Sequence, residues 1–271
     1  MAAPPLKAGT DEGRIGVRAN LRHIGALVRR NVLQIKQAPE SMFDALLMPV
    51  IFILLFVYVF GGAIAGKGRQ DAYVQYLVPG MMGMMAMNIA TAVGTGVNED
   101  FRTGVMDRFR TMPIARSSVL IAKIVVELGR MLIATTILLA MGFLLGLEIK
   151  GGTLPFLASI ALSVLFCAGL MWIFILLGLA MKTPQAVQGT AMLILMPLQF
   201  GSSVFTAPTS MPGWLEAFTK VNPLSTLADA SRALIDGRGA VLHPTLITLG
   251  WVVGLTAVTM PLAVAKFRKR T

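Results

Sequence analysis

Cysteine is nearly absent from this sequence. Cys167 stands alone in an apolar run, which excludes an intrachain disulfide. No histidine or carboxylate lies near it in sequence to share a metal, so it reads as a small core residue. Histidine is almost as scarce, and His23 and His243 sit too far apart to pair. Charge makes up only 14% of the chain and is missing from 45–66, 72–98, 131–147, 151–181, 183–215 and 239–265. With no charged pair inside these stretches, a proton relay or carboxylate-based ion pump has no carrier. No catalytic group and no metal site is expected.

What remains is apolar: 55% of residues are hydrophobic and the mean hydropathy is +0.73. A soluble domain of 271 residues cannot hide that much apolar surface. Lipid is the solvent that fits. A crossing helix needs about 20 residues, with a range of roughly 17–25, and six charge-free stretches reach that length. They are too long for barrel strands and do not alternate. The expected fold is all-α and polytopic, with six transmembrane helices in a domain spanning 43–265.

The net charge of +11 lies between the apolar runs, so topology explains it better than nucleic acid does, and no nucleic acid is expected as a partner. With the N-terminus in the cytoplasm, the inner segments carry seven basic residues before residue 43 and six over 102–130. Lys182 and four in the tail 266–271 bring these to 18, against six on the other face. Both termini are therefore expected inside. Ala63-Ile64-Ala65 imitates a signal-peptidase site, but 42 residues precede its apolar run, so cleavage is not expected.

Residues 1–13 are rich in Ala, Pro and Gly and are expected to be disordered. Over 14–38, Val17, Leu21, Ile24, Val28, Val32 and Ile35 form one helical stripe with Arg18, Arg22, Arg29 and Lys36 beside it. A basic amphipathic helix on the inner membrane surface, against lipid headgroups, is expected; a solvated helix is the alternative.

The loop 98–116 is the most informative segment. Asn98 reads as an N-cap, with Glu99 and Asp100 in the first turn, Arg108 and Arg110 in the last and Pro113 as the stop. Phe101, Val105, Phe109 and Met112 share a face. A short, separately capped cytoplasmic helix follows, and its aromatics need either membrane or a groove in a partner protein. Lys123, Glu127 and Arg130 then make an ion-pair ladder on a solvated stalk that enters the membrane at about residue 131.

Over 208–242 an external segment is expected. A short helix starts at Pro212 with Trp214 at the interface, Asn222-Pro223 breaks it, and a second helical pattern over 224–235 ends at Gly237. That second helix either dips into the bilayer or packs on the bundle.

Gly61 to Gly68 imitates a phosphate-binding loop, but Gly68 replaces the required Ser or Thr. Gly142-x3-Gly146 and Gly250-x3-Gly254 permit close helix crossings. Asn88, Thr91, Thr95 and Asn98 form a polar stripe on the second span. Gln199, Ser202, Ser203 and Thr206 form another on the fifth, after Pro197. With Met81, Met82, Met84, Met85 and Met87 these read either as a path for varied apolar cargo or as ordinary interhelical packing.

Two stretches carry a family likeness. Glu99-Asp100-Phe101-Arg102-Thr103-Gly104 leads to Asp107-Arg108-Phe109-Arg110-Thr111-Met112-Pro113-Ile114-Ala115-Arg116, and Asn222-Pro223-Leu224 leads to Asp229-Ala230-Ser231-Arg232-Ala233-Leu234. Over about 20–270 the chain resembles the type-2 ATP-binding-cassette export permeases, and within them the daunorubicin-resistance permease group. The resemblance implies a plasma-membrane (inner-membrane) multi-pass permease subunit that does no covalent chemistry and binds no cofactor of its own. ATP and magnesium would belong to a separate ATPase subunit. A second permease chain, identical or homologous, would complete the pathway, and the cargo would be a drug, natural product or lipid. It also implies that Glu99, Asp100, Phe101, Arg102, Gly104, Val105, Asp107, Arg108, Phe109 and Pro113 form the coupling helix that docks into the ATPase. The outer helices would help close an external gate at Trp214, Asn222, Pro223, Asp229 and Arg232. An ion-coupled secondary exporter, a membrane enzyme and a non-transporting assembly subunit are the alternatives.

Overall fold

The computed structural model describes residues 25, 28, 47, 49–64, 70–106 and 116–270; of the expected interfacial helix, only Gly25 and Val28 fall among these, both helical. Eight helices and no strand occur among the described residues. The first, α1, takes in the apolar stretch Pro49–Val59. It widens into π-helix over Phe56–Phe60 and ends in Gly61–Ile64. Then follow α2 (Gln70–Arg102), α3 (Arg116–Leu144), α4 (Thr153–Ala180), α5 (Pro184–Phe200), α6 (Gly213–Val221), α7 (Pro223–Asp236) and α8 (Leu242–Arg270).

The bundle is built round α2. At 33 residues it is about 50 Å long. It packs against α3, α4, α5 and α7, while α8 lies on α4 and α7. Met81, Met82, Met85 and Met87 on α2 are buried, as are Phe166, Met171 and Ile175 on α4. Met84 is buried with them, so the whole methionine run packs in the core, and Met84 also borders the cavity described below. Small residues set the closest approach. A Cβ on Gly94 would stand 2.3 Å from the Phe174 carbonyl oxygen, and one on Gly178 would stand 2.2 Å from that of Gly94. The α2 and α4 backbones thus touch there. Neither expected GxxxG pair makes this crossing: Gly250 and Gly254 face open space, and Gly146 is a turn residue at φ +101°.

Four helices are long and apolar enough to cross a membrane: Asp71–Arg102, Ser118–Leu144, Thr153–Ala180 and Leu242–Arg270. Leu193 on α5, Leu154 on α4 and Val253 on α8 expose 78%, 79% and 66% of their surface, as lipid-facing side chains do. The charge-free stretch 183–215 is not one continuous span. Thr183 caps α5, its hydroxyl accepting from the Ala186 N–H at 3.2 Å, and Pro184 opens the helix. The helix stops at Phe200, where the Gly201 N–H makes the last bond, to the Pro197 carbonyl at 2.8 Å, and the Phe218 ring fills the space a side chain at 201 would need. The third helix also departs from expectation. It begins at Arg116, and Lys123, Glu127 and Arg130 are no solvated ladder. Their side chains are only 15%, 14% and 16% exposed, with Lys123 paired to Asp100 at 2.5 Å and Arg130 to Glu127 at 2.9 Å.

Between α5 and α8 the helix break falls at Asn222-Pro223. The Asn222 side chain accepts from the Leu224 N–H at 2.9 Å, and Gly237 ends α7 in the left-handed region at φ +63°. Leu224, Leu227, Ala228 and Ile235 are fully buried, so α7 packs on the bundle.

Candidate functional site

Three places gather the residues singled out in the sequence. The first is the far end of α2. Asn98 is not an N-cap, because α2 runs on without a breaker to Arg102. It is a buried anchor instead, donating to the Gly178 and Met181 carbonyls at 2.9 and 2.8 Å across the α2–α4 crossing. Asp100 does not serve a helix N-terminus either, since it is the partner of Lys123 on α3. Phe101 is half-buried. Its ring meets Phe267 of α8 edge to face at 5.7 Å, and the Arg270 guanidinium lies 5.3 Å from its centroid. Glu99 and Arg102 are exposed beside it. The helix closes with Thr103 donating to the Glu99 carbonyl, then turns at Gly104 (φ +71°), after which Val105 is half-buried and Met106 buried. Asp107, Arg108, Phe109 and Pro113 lie outside the described residues.

The second place lies at the opposite end. Arg232 of α7 spends its guanidinium on a fixed set of acceptors. Its Nε donates to the Tyr76 carbonyl at 2.8 Å, and its Nη2 to the Ser203 and Val204 carbonyls at 2.7 and 3.1 Å. Its Nη1 pairs with Asp229 at 2.9 Å. The same guanidinium lies 3.7 Å from the Tyr76 ring centroid. Ser203 donates its hydroxyl to Asp229, and Tyr76 donates to the Ser203 carbonyl at 2.6 Å. Asn222 donates to the Leu198 and Gly201 carbonyls at 2.8 and 3.0 Å, and Thr219 also donates to Gly201. Nearby, Gln75 holds α7 and the loop before α4 together, donating to Asp236 and to the Glu148 carbonyl while accepting from the Glu148 N–H. Asn222, Asp229 and Arg232 therefore share one knot. Ser202 and Ser203 are buried in it, and Ser202 donates to the Gln199 carbonyl. Trp214 stands apart, 75% exposed. Pro223 borders a wholly apolar cavity of about 340 Å³ shared with Met87, Phe174 and Trp251.

The third place is a cavity of about 410 Å³ between α1, α2 and α5. Asn88, Thr91 and Gln199 line it, with Gln188, Met84 and Met196. Gln199 donates to Asn88 at 3.3 Å. Thr91 spends its hydroxyl on the Met87 carbonyl, and Thr95 spends its own on Thr91 without reaching the lining. Four aromatic rings run along the cavity. Phe52 and Phe56 are 6.3 Å apart, Phe56 and Phe205 4.4 Å, and Phe205 and Phe200 5.7 Å. This ladder joins α1 to α5 through the turn that Arg232 holds. The sequence reading missed it, and missed Tyr76 and Gln75. One signal was present: an arginine on a helix whose apolar face packs in the core demands a set of acceptors.

Among the described residues, four helices long and apolar enough to cross a membrane and a cavity shared by three helices fit a polytopic membrane protein. The chain belongs to the ABC-2 type transporter family, whose model matches residues 22–235. Among its relatives, the daunorubicin resistance ABC transporter permease protein DrrB1 of Streptomyces coeruleorubidus is 35% identical over 98% of this chain and 92% of its own length. The probable doxorubicin resistance ABC transporter permease protein DrrC of Mycobacterium tuberculosis is 25% identical over 85% of this chain and 83% of its own. The putative transport permease ycf38 of Cyanophora paradoxa is 23% identical over 85% and 80%. All three are permeases, so this chain is a membrane protein of a transport family.

Proposed function

We infer that this chain is the membrane half of an ATP-driven exporter of amphipathic or apolar compounds, powered by a separate ATPase. The observation that carries this is the end of α2. A helix about 50 Å long ends with Glu99 and Arg102 exposed to a partner, while Asn98, Asp100 and Phe101 tie the same turn to α4, α3 and α8. Such an end moves as a rigid body with the bundle when a docked partner moves it. ATP binding and hydrolysis in the ATPase bias the permease between two arrangements. The segment 98–116 is the docking element, and Asp107, Arg108, Phe109 and Pro113 continue it.

The chain crosses the plasma membrane six times with both termini inside. α1 and α5 are the remaining spans, and α6 and α7 form a re-entrant outer cap. The cavity lined by Phe52, Phe56, Asn88 and Gln199 takes cargo, since rings and amides suit flat amphipathic molecules of the kind the relatives' names record. The aromatic ladder and the Arg232 knot close it from outside. A second permease, identical or homologous, completes the pathway.

The test is copurification of the chain with its ATPase in detergent. Glu99→Arg with Arg102→Glu is expected to lower capture at least tenfold while the variant keeps its monodisperse profile. Equal capture by wild type and variant removes this end of α2 as the docking site.

A further inference from the structure

One helix is fastened at an unexpected place. α8 runs 29 residues, yet only Thr248, Ala263 and Phe267 on it are buried. Two of the three lie in its last eight residues, beside the end of α2. Along its middle α8 rests on α4, where Gly169 sits against Val252 and Thr256. At its end the contact changes character. Phe267, 2% exposed, meets the Phe101 ring edge to face. Arg270 lies over the same ring and donates to the Leu179 carbonyl at 3.1 Å. The Arg270 side chain therefore bridges α2 and the last turn of α4, at a carbonyl that lies in sequence between the two that Asn98 holds.

We propose that the last turn of α8 is a clasp of the coupling element. Phe267 and Arg270 grip Phe101, so a push on the docking segment is delivered to the sixth span directly as well as through α2 and α4. Phe101 is then a transmitting residue more than a docking one. Its ring already has partners within the chain, and the exposed Glu99 and Arg102 beside it remain for the ATPase. An aromatic edge on an aromatic face, with a cation on that face, is a directional contact. It transmits rotation where a greasy contact would slip.

This rests on the docking reading above, so the two are tested separately. The full chain, carrying Cys167→Ala and a bimane label on Leu242→Cys at the far end of α8, is reconstituted with its ATPase in nanodiscs. Leu242 is 71% exposed and accepts a label. Trapping the ATPase with ATP and vanadate is expected to shift the label's emission. Phe267→Ala and Arg270→Ala should each cut the shift about fivefold or more, the lower range for a coupling contact. Phe267→Tyr should keep it, and ATPase capture should be unchanged in all three. A full shift in both alanine variants overturns the clasp, as does no shift in the parent with the ATPase bound. Loss of ATPase capture in the alanine variants also overturns it, because the turn would then shape the docking surface and not transmit. If Phe267→Ala does not fold, the exposed Arg270→Ala decides alone. Failure of the parent to hold any ATPase sinks the docking reading instead.

Discussion

Two glycines decide how close α2 and α4 come. Gly94 and Gly178 each lie against the other helix's backbone, and a methyl group on either would stand within 2.3 Å of a carbonyl oxygen. Backbone cannot retreat as a side-chain tip can, so the helices must part. Parting them pulls the Gly178 and Met181 carbonyls away from Asn98 near the end of α2. Gly94→Ala and Gly178→Ala are each expected to abolish a monodisperse peak in fluorescence-detected size exclusion. Gly250→Ala and Gly254→Ala, which meet open space, should behave as wild type. The reverse pattern would mean that the crossing lies elsewhere. A GxxxG search points to the wrong pair because it scores one helix at a time. The fit at Gly94 is made by a glycine 84 positions away, and no spacing on α2 records it.

The short helices obey a different constraint. Leu224 packs at Gly83 and Asp236 reaches Gln75, so α7 descends beside α2 by about eight residues, roughly 12 Å. The turn after α5 is buried beside α7 without helical hydrogen bonds of its own. Non-helical backbone there must be satisfied by protein. Arg232, Asn222 and Thr219 supply the donors to Ser203, Val204 and Gly201. Arg232→Lys keeps the charge and loses the fork. It should cost about 2 kcal/mol, the scale of an unmet buried acceptor, and lower the melting temperature by roughly 4–8 °C. Differential scanning fluorimetry in detergent measures this. An unchanged midpoint would show that charge alone holds the turn. Much of this element level was legible. Pro212, Asn222-Pro223 and Gly237 punctuate α6 and α7 in the sequence where the structure begins and ends them. The end of α5 was not legible, because a charge-free run does not reveal that Phe218 and Asn222 return to seize Gly201. Asn98 misled for a related reason. An asparagine before two acids reads as a cap, and only the carbonyls of α4 reveal it as a bridge between helices.

At the scale of the molecule the two ends of the bundle differ in charge. Arg102, Lys182, Lys266, Arg268, Lys269 and Arg270 gather where α2, α4 and α8 meet, against Glu99 and Asp100. The other end sets Asp71, Glu148, Glu216, Asp229 and Asp236 against Lys150, Lys220, Arg232 and Arg238, so it is close to neutral. Cations resist translocation while a helix inserts, and carboxylates contribute little, which supports the proposed orientation with the basic end in the cytoplasm. On that proposed orientation rest the end offered to the ATPase, the end that the Arg232 knot would close and the direction in which the cavity between α1, α2 and α5 would empty. It is open to direct test, because Cys167 is the sole thiol. In a Cys167→Ala background, Lys150→Cys and Lys220→Cys, whose parent side chains are 44% and 67% exposed, should react in intact cells with a membrane-impermeant maleimide. Glu99→Cys and Lys269→Cys, also at exposed positions, should react only after the membrane is opened. If the two pairs exchange behaviour, the chain sits the other way up and the exposed end of α2 cannot meet a cytoplasmic ATPase. If all four label from outside, the four long helices do not span as a bundle with these ends, and the six-span reading falls with them.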